Sequence, residues 1–236
     1  MFRNMLALLF LVICSNVIAD DESDTDVSRS DMIKNIFNNV LIEHSLEMKK
    51  IPGRNFEIGE FEISQKQWKA VMGNNPSKFS SCGENCPVEN ISADDVQAFI
   101  NKLNKDTNAY NEDEDMSSGV YRLPTEEEWK YACYGGSQTE YCGSNNLDAV
   151  GWYDGNSNMQ THPAGQKQAN GYGLYDMTGN VWEWTNDCWK GDCAKRVIRG
   201  GSWFDLPQRA RSADSGGIDA TRRSGSIGFR LVRTPL

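Results

Sequence analysis

Glycine-spaced aromatic blocks in the C-terminal part of this 236-residue chain constrain its fold more than any other feature. GYGLYDMTGNVWEW occupies 171–184, RGGSW 199–203 and GFRLVR 228–233. Large rings set beside glycines at short intervals follow neither a helical period nor a long alternation, so they point to tight turns and short strands. Gly, Asn, Asp, Ser and aromatic residues dominate 145–236, which is therefore expected to be loops and short strands. A stretch of that length needs support from disulfides or bound cations. No internal repeat of fixed period argues for a solenoid or propeller.

Cysteine usage supplies part of that support. Residues 1–19 read as a secretory signal: Arg3, an apolar run from Leu6 to Ile13 too short to span a bilayer, and a small-residue cleavage site at Val17-Ile18-Ala19. Ile13 stands where a lipoprotein signal through Cys14 would want a small residue. No integral membrane segment is expected after cleavage, and the mature chain is expected to be exported, periplasmic or secreted. Six cysteines then remain in three close pairs. An even count in an exported chain reads as disulfides, most simply Cys82–Cys86, Cys133–Cys142 and Cys188–Cys193. The competing reading is a metal site at Cys188 and Cys193.

A net charge of −9 argues against a nucleic-acid partner, which would require clustered Lys and Arg. The length suits one core and one domain. Residues 20–31 form an acidic, Ser-rich lead-in. Across 32–50, Ile33, Ile36, Phe37, Val40 and Leu41 recur at helical spacing and predict an amphipathic helix reaching Met48. Ile51 to Gly59 reads as a strand. Ser64 can cap a helix from Gln65 to about Met72, a second helix follows Ser92 with Asp95 completing its cap, and a third follows Thr125 with Glu128 in the reciprocal position. Glu126, Glu127 and Glu128 are explained by the helix dipole without catalysis. Two histidines, His44 and His162, cannot build a His-rich metal site, and no phosphate-binding loop is present.

The three aromatic blocks, in this order and at this spacing, resemble the formylglycine-generating enzyme family, also called sulfatase-modifying factor proteins. The resemblance covers about 51–233 and suggests a domain at 51–236. It implies an α+β class, an irregular C-type-lectin-like fold with short antiparallel sheets, few helices and much loop. It also matches Glu60 to Gln65 with the start of the family's first core helix. Active oxidases of the family carry two copper-binding cysteines just after the RGGSW-like element. Ungapped counting places Asp205 and Ala210 there, and a carboxylate and a methyl group cannot hold copper(I). Copper is therefore not expected.

The same resemblance implies a groove around Ser202, Trp203, Asp205, Gln208, Arg209 and Arg211, with Trp182, Trp184, Trp203 and Phe204 either lining a cleft or filling the core. It implies calcium held by the side chains of Asp176 and Glu183 and the carbonyls of Gly179 and Val181, oxygen donors of the kind calcium prefers. A second calcium set maps to Asn146, Leu147, Asn156 and Asn158, with Asn156 in place of an acid. The function expected is an exported, calcium-stabilised binding or accessory and maturation protein for a peptide, protein or glycan. The alternative is a divergent oxidoreductase or modifying enzyme, including one that generates formylglycine on sulfatases.

Overall fold

A computed structural model describes residues 46–111 and 119–235. The expected signal at 1–19, the lead-in at 20–31 and the helix as far as residue 45 lie outside the described residues. What can be compared of that helix is its end, and there the expectation is corrected. Met48–Lys50 is strand β1, paired antiparallel with β2 (Glu57–Gly59), Met48 facing Gly59 and Lys50 facing Glu57. Pairing with β2 across a short turn overrides the helical periodicity upstream, so the folded domain begins before residue 51.

α1 (Gln65–Met72) starts where its cap dictates. The Ser64 hydroxyl accepts from the Gln67 amide at 3.2 Å, the Gln67 side chain accepts from the Ser64 amide at 2.8 Å, and Gly73 ends the helix in the left-handed conformation. The preceding residues are not helical as the resemblance implied. Gly59 and Ile63 donate to Leu231 and Phe229, which draws this segment out beside the C-terminal strand. α2 (Ala93–Asn111) uses the Ser92–Asp95 exchange and buries Val96, Phe99, Ile100 and Leu103. After β3 (Val120–Arg122), α3 (Glu126–Tyr134) repeats the capping box with Thr125 and Glu128, and Arg122 grips Glu128 through two 2.6 Å bonds.

Then come α4 (Leu147–Val150), β4 (Gly151–Trp152), β5 (Thr178–Gly179), the long hairpin β6 (Trp182–Trp189) and β7 (Asp192–Arg199), β8 (Ser215–Asp219), β9 (Ile227–Gly228) and β10 (Val232–Thr234). The sheets are β1-β2-β10-β3, β4-β5 and β8-β7-β6-β9. β10, from the end of the chain, lies between β2 and β3, so the first and last parts of the domain fold together. The expected antiparallel pairing dominates, but β4 with β5 and β6 with β9 run parallel. All three cysteine pairs are disulfides, Cys82–Cys86, Cys133–Cys142 and Cys188–Cys193. Among the described residues no helix is long and apolar enough to cross a membrane.

The core explains the aromatic blocks. Trp184 is fully buried, its indole N–H bonded to the Ile91 carbonyl, while Trp68 stacks on Phe99 at 5.2 Å and meets Phe229 edge-on. Glycine is required where backbones touch. Gly179 has φ +75°, and a Cβ there would sit 2.0 Å from the Trp152 carbonyl oxygen. We expect Gly179→Ala to lose about 3 kcal/mol or more in urea unfolding. Gly191→Ala, also at positive φ (+83°) but facing open space, should lose only about 1 kcal/mol, as left-handed strain alone would predict.

Candidate functional site

Trp182 to Thr185, the first half of β6, is buried, which forces Glu183 into the interior. Its partner is Arg230 of the GFRLVR block. Arg230 Nε donates to both Glu183 oxygens at 2.9 and 2.8 Å, and Nη2 adds a 2.7 Å bond. The remaining guanidinium donors reach the carbonyls of Gly59 at 3.0 Å and Tyr175 at 2.9 Å. Trp129 Nε1 donates to Glu183 Oε2 at 2.5 Å. Every strong donor and acceptor in this pair is met, the condition under which a fully buried ion pair is tolerated.

Two more carboxylates share the neighbourhood. Glu62 accepts from Asn180 Nδ2 at 2.7 Å and from the Val181 amide at 3.1 Å. Burial, then Asp176 and Glu183, push its carboxyl well above the ordinary range. Asp176 sits at φ +54° and accepts from the Gly165 amide at 2.8 Å through Oδ2, whereas Oδ1 is buried without a partner. Burial raises its carboxyl to about 6.

This geometry divides the calcium donors implied by the resemblance. Asp176 offers a free buried oxygen close to the turn that carries Gly179 and Val181. Glu183 is committed to Arg230 and Trp129, so it can join a cation only by giving up one of those bonds. In the second set, Asn146 Oδ1 caps α4 and Asn156 Oδ1 accepts from the Tyr153 amide at 3.0 Å. Leu147 is buried, and Asn158, at φ +53°, is exposed. Asp148 supplies the carboxylate of that loop and receives the Tyr153 hydroxyl at 3.0 Å. Among the described residues no group of three or more His, Cys, Asp or Glu side chains is arranged to hold a metal ion.

The groove residues fall into two kinds. Ser202 is buried and its hydroxyl donates to Asp205, which also accepts from Trp182 Nε1 at 2.7 Å. Ala210 is fully buried against Gly201. Trp203 donates to the Gly225 carbonyl at 2.8 Å and meets Phe79 and Phe204 edge-on at 5.1 and 5.4 Å. Arg209 lies over the Trp182 ring and pairs with Asp214 at 2.8 Å, Arg211 pairs with Glu140 at 2.9 Å, and Gln208 is exposed. Of the four aromatics that could have lined a cleft, Trp182 and Trp184 belong to the core, Trp203 is nearly covered, and Phe204 stands out at 59% exposure.

Phe204 has company that sequence reasoning did not single out: Leu206 and Met159 are exposed at 60% and 51%. Two bonds tie their loops together, Asp154 N–H to the Asp205 carbonyl at 3.1 Å and Ser157 Oγ–H to the Trp203 carbonyl at 2.7 Å. Met159 is held at φ +60°, an uncommon conformation for this residue. Behind Trp203 lies a second missed residue, Glu89. It accepts from the Phe79 amide at 2.7 Å, while its other oxygen is buried and unpartnered beside Gly225.

Residues 31–235 match the model of the sulfatase-modifying factor enzyme 1-like domain. The chain belongs to this family. Chaperone protein LppX of Paenibacillus barcinonensis is 34% identical to it, over 79% of this chain and 82% of that relative. The inactive C-alpha-formylglycine-generating enzyme 2 of Bos taurus is 35% identical over 47% of this chain, which spans 43% of that relative. Among solved structures, Treponema denticola variable protein 1 superposes with a TM-score of 0.67 at 30% identity, covering 80% of this chain and 92% of its own. The fold is the α+β, C-type-lectin-like arrangement of the sulfatase-modifying factor family, and its three disulfides belong to an oxidising, extracytoplasmic environment.

Two predictions follow from the buried charges. Arg230→Met leaves Glu183 uncompensated and should lower unfolding free energy by about 3–5 kcal/mol, with Arg230→Met/Glu183→Gln recovering much of that loss. Burial raises the Glu89 carboxyl. The folded state therefore holds that proton more tightly than the unfolded chain, and Glu89's stabilising contribution is lost as pH rises from its unfolded value through its folded one. Urea midpoints of Glu89→Gln at pH 5 and 7 should differ less than those of the parent, with the variant gaining relative to the parent at pH 7.

Proposed function

We propose that this sulfatase-modifying factor domain is an extracytoplasmic accessory protein that holds an apolar segment of an exported polypeptide and does not oxidise it. What supports the proposal is the absence of free thiols among the described residues, including at Asp205 and Ala210, where the resemblance would place them. Asp205 is bound to Trp182 and Ser202, Ala210 is packed into the interior, and all six described cysteines are in disulfides. Copper(I) asks for thiolates, and these residues do not fit it.

What the loops present instead is adaptable apolar surface. Phe204, Leu206 and Met159, on loops joined by the Asp154–Asp205 and Ser157–Trp203 bonds, supply exposed apolar side chains available for polypeptide contact, and methionine accommodates varied side chains. Chaperone LppX, at 34% identity over most of both chains, supports a role in handling another protein.

Calcium enters the proposal as a structural ion. Three buried carboxylates, Glu62, Asp176 and Glu183, face one buried guanidinium, and a divalent cation at Asp176 Oδ1 with the Gly179 and Val181 carbonyls would offset the excess negative charge. It would brace the turn before β6 and take no chemical step.

The mature chain should slow aggregation of an unfolded secreted protein in light scattering, and Phe204→Ser/Leu206→Ser should lose that effect with its melting temperature unchanged. Undiminished protection by the double variant would rule out this surface. A Cys-x-Pro-x-Arg peptide incubated with the protein, copper and oxygen should show no aldehyde by mass spectrometry; aldehyde would restore the oxidase reading. Calcium added to chelator-treated protein should raise its melting temperature, and Asp176→Asn should abolish that rise.

A further inference from the structure

A second surface, on α3, is built from tyrosines and lies outside the thiol-derived groove. α3 ends at Gly135 in the left-handed conformation, and the chain from Asn170 packs on that end without intervening side chains. A Cβ on Gly171 would lie 2.2 Å from the Gly135 carbonyl oxygen, and one on Gly135 would lie 2.7 Å from the Gly171 nitrogen. Asn170 locks the contact. Its Nδ2 donates to the Ala132 and Cys133 carbonyls at 2.7 and 3.1 Å, and its Oδ1 accepts from the Tyr172 amide at 2.9 Å. The GYG at 171–173 therefore has a structural task, which is to set Tyr172 beside Tyr131.

The result is an open groove of about 480 Å³, within the range of small-ligand sites. Tyr131 and Tyr172 stand 6.1 Å apart with their planes tilted by 33°, and Tyr134 continues the wall one helical step on. The Tyr131 hydroxyl is fixed by the Pro52 carbonyl at 3.0 Å, and the Cys133–Cys142 disulfide braces the same end of α3. Arg54, from the β1–β2 turn, covers the Tyr131 ring at 4.2 Å and stands 3.6 Å from Glu127. Lys130 lies 5.8 Å from the Tyr134 ring and, among the described residues, has no ion pair.

We propose that this groove binds a short oligosaccharide carrying carboxylates. Tyrosine faces pack against the C–H faces of pyranose rings, and their amphipathic character suits a ligand that is apolar on its faces and polar at its edges. At 6.1 Å the Tyr131 and Tyr172 rings admit nothing between them, so a sugar would lie across the outer side of the tyrosine wall. Arg54 and Glu127 offer planar donors and acceptors to neighbouring hydroxyls. Two cations against one carboxylate, on a chain of net charge −9, select an acidic sugar over a neutral one. Preset rings and a fixed backbone reduce the entropy lost on binding. The site is independent of the apolar edge at Phe204.

Calorimetric titration of the mature protein with trigalacturonate, maltotriose and 4-hydroxybenzoate tests this proposal. Trigalacturonate should bind, with maltotriose roughly tenfold weaker or undetectable. Arg54→Ala/Lys130→Ala, both side chains lying at the surface, should weaken trigalacturonate by roughly tenfold or more with melting temperature unchanged. Tyr172→Ala should weaken it comparably, while Phe204→Ser should bind normally. No binding of trigalacturonate at millimolar concentration, equal binding of maltotriose, displacement by 4-hydroxybenzoate, or unaltered binding by Arg54→Ala/Lys130→Ala would each overturn the assignment.

Discussion

The Arg230–Glu183 pair is the constraint around which this domain is arranged. A guanidinium at zero exposure must find a partner for each donor, and Arg230 takes its acceptors from separate parts of the chain: β6, the end of β2 and the loop at Tyr175. Satisfying it therefore fixes where the N-terminal hairpin, the central hairpin and the GYGLYDMTGN turn lie relative to one another. Replacement by apolar residues of matching volume could give comparable stability, so the pair is better understood as fixing one arrangement among several compact ones. The two buried carboxyls that Arg230 does not bond, Glu62 and Asp176, stay beside the turn that leads into β6.

The parts of the fold legible in the sequence are those whose physics is local. Ser64, Ser92 and Thr125 each carry their reciprocal partner three residues on, and each starts a helix. Cysteines four, nine and five residues apart close short loops. β1 was not legible, because its strand character comes from a partner that follows an intervening turn, and a helical periodicity upstream ran into it. Glu62 was not legible either: the resemblance put it at the start of a helix, and only Asn180 and Val181, more than a hundred residues later, account for its burial. Arg230, in the GFRLVR segment, was no more legible, because its partners also come from distant parts of the chain.

At the candidate site the local sequence carried little of the packing that the structure shows. The resemblance led to positions 205 and 210, but the residues there said nothing of their packing. Asp205 gathers Trp182 and Ser202 and so draws the indole into the interior, which removes one wall of the cleft that the aromatic blocks suggested. Ala210 packs so closely on Gly201 that a Cβ on the glycine would lie 2.9 Å from the Ala210 Cα. Asp205 and Ala210 are framework residues here. The residues next to them, Phe204 and Leu206, are left facing water because the framework has turned inward.

The two surfaces differ in how they are held, and this bears on what each can recognise. The apolar edge rests on loops, with Met159 in a strained conformation maintained by Ser157, and its contacts are flexible side chains. Such a surface suits many partners at modest affinity, as a handler of unfolded segments requires. The tyrosine groove rests on a helix end, a disulfide and a glycine-to-glycine backbone contact, none of which can shift without breaking several bonds at once. A site so fixed gains nothing from adaptability, and its rigidity is useful only where the ligand has a defined shape. Rigid rings beside Arg54 and Lys130 therefore argue for a single class of ligand, while the edge at Phe204 argues for a broad one, and one small domain accommodates both because they draw on different elements.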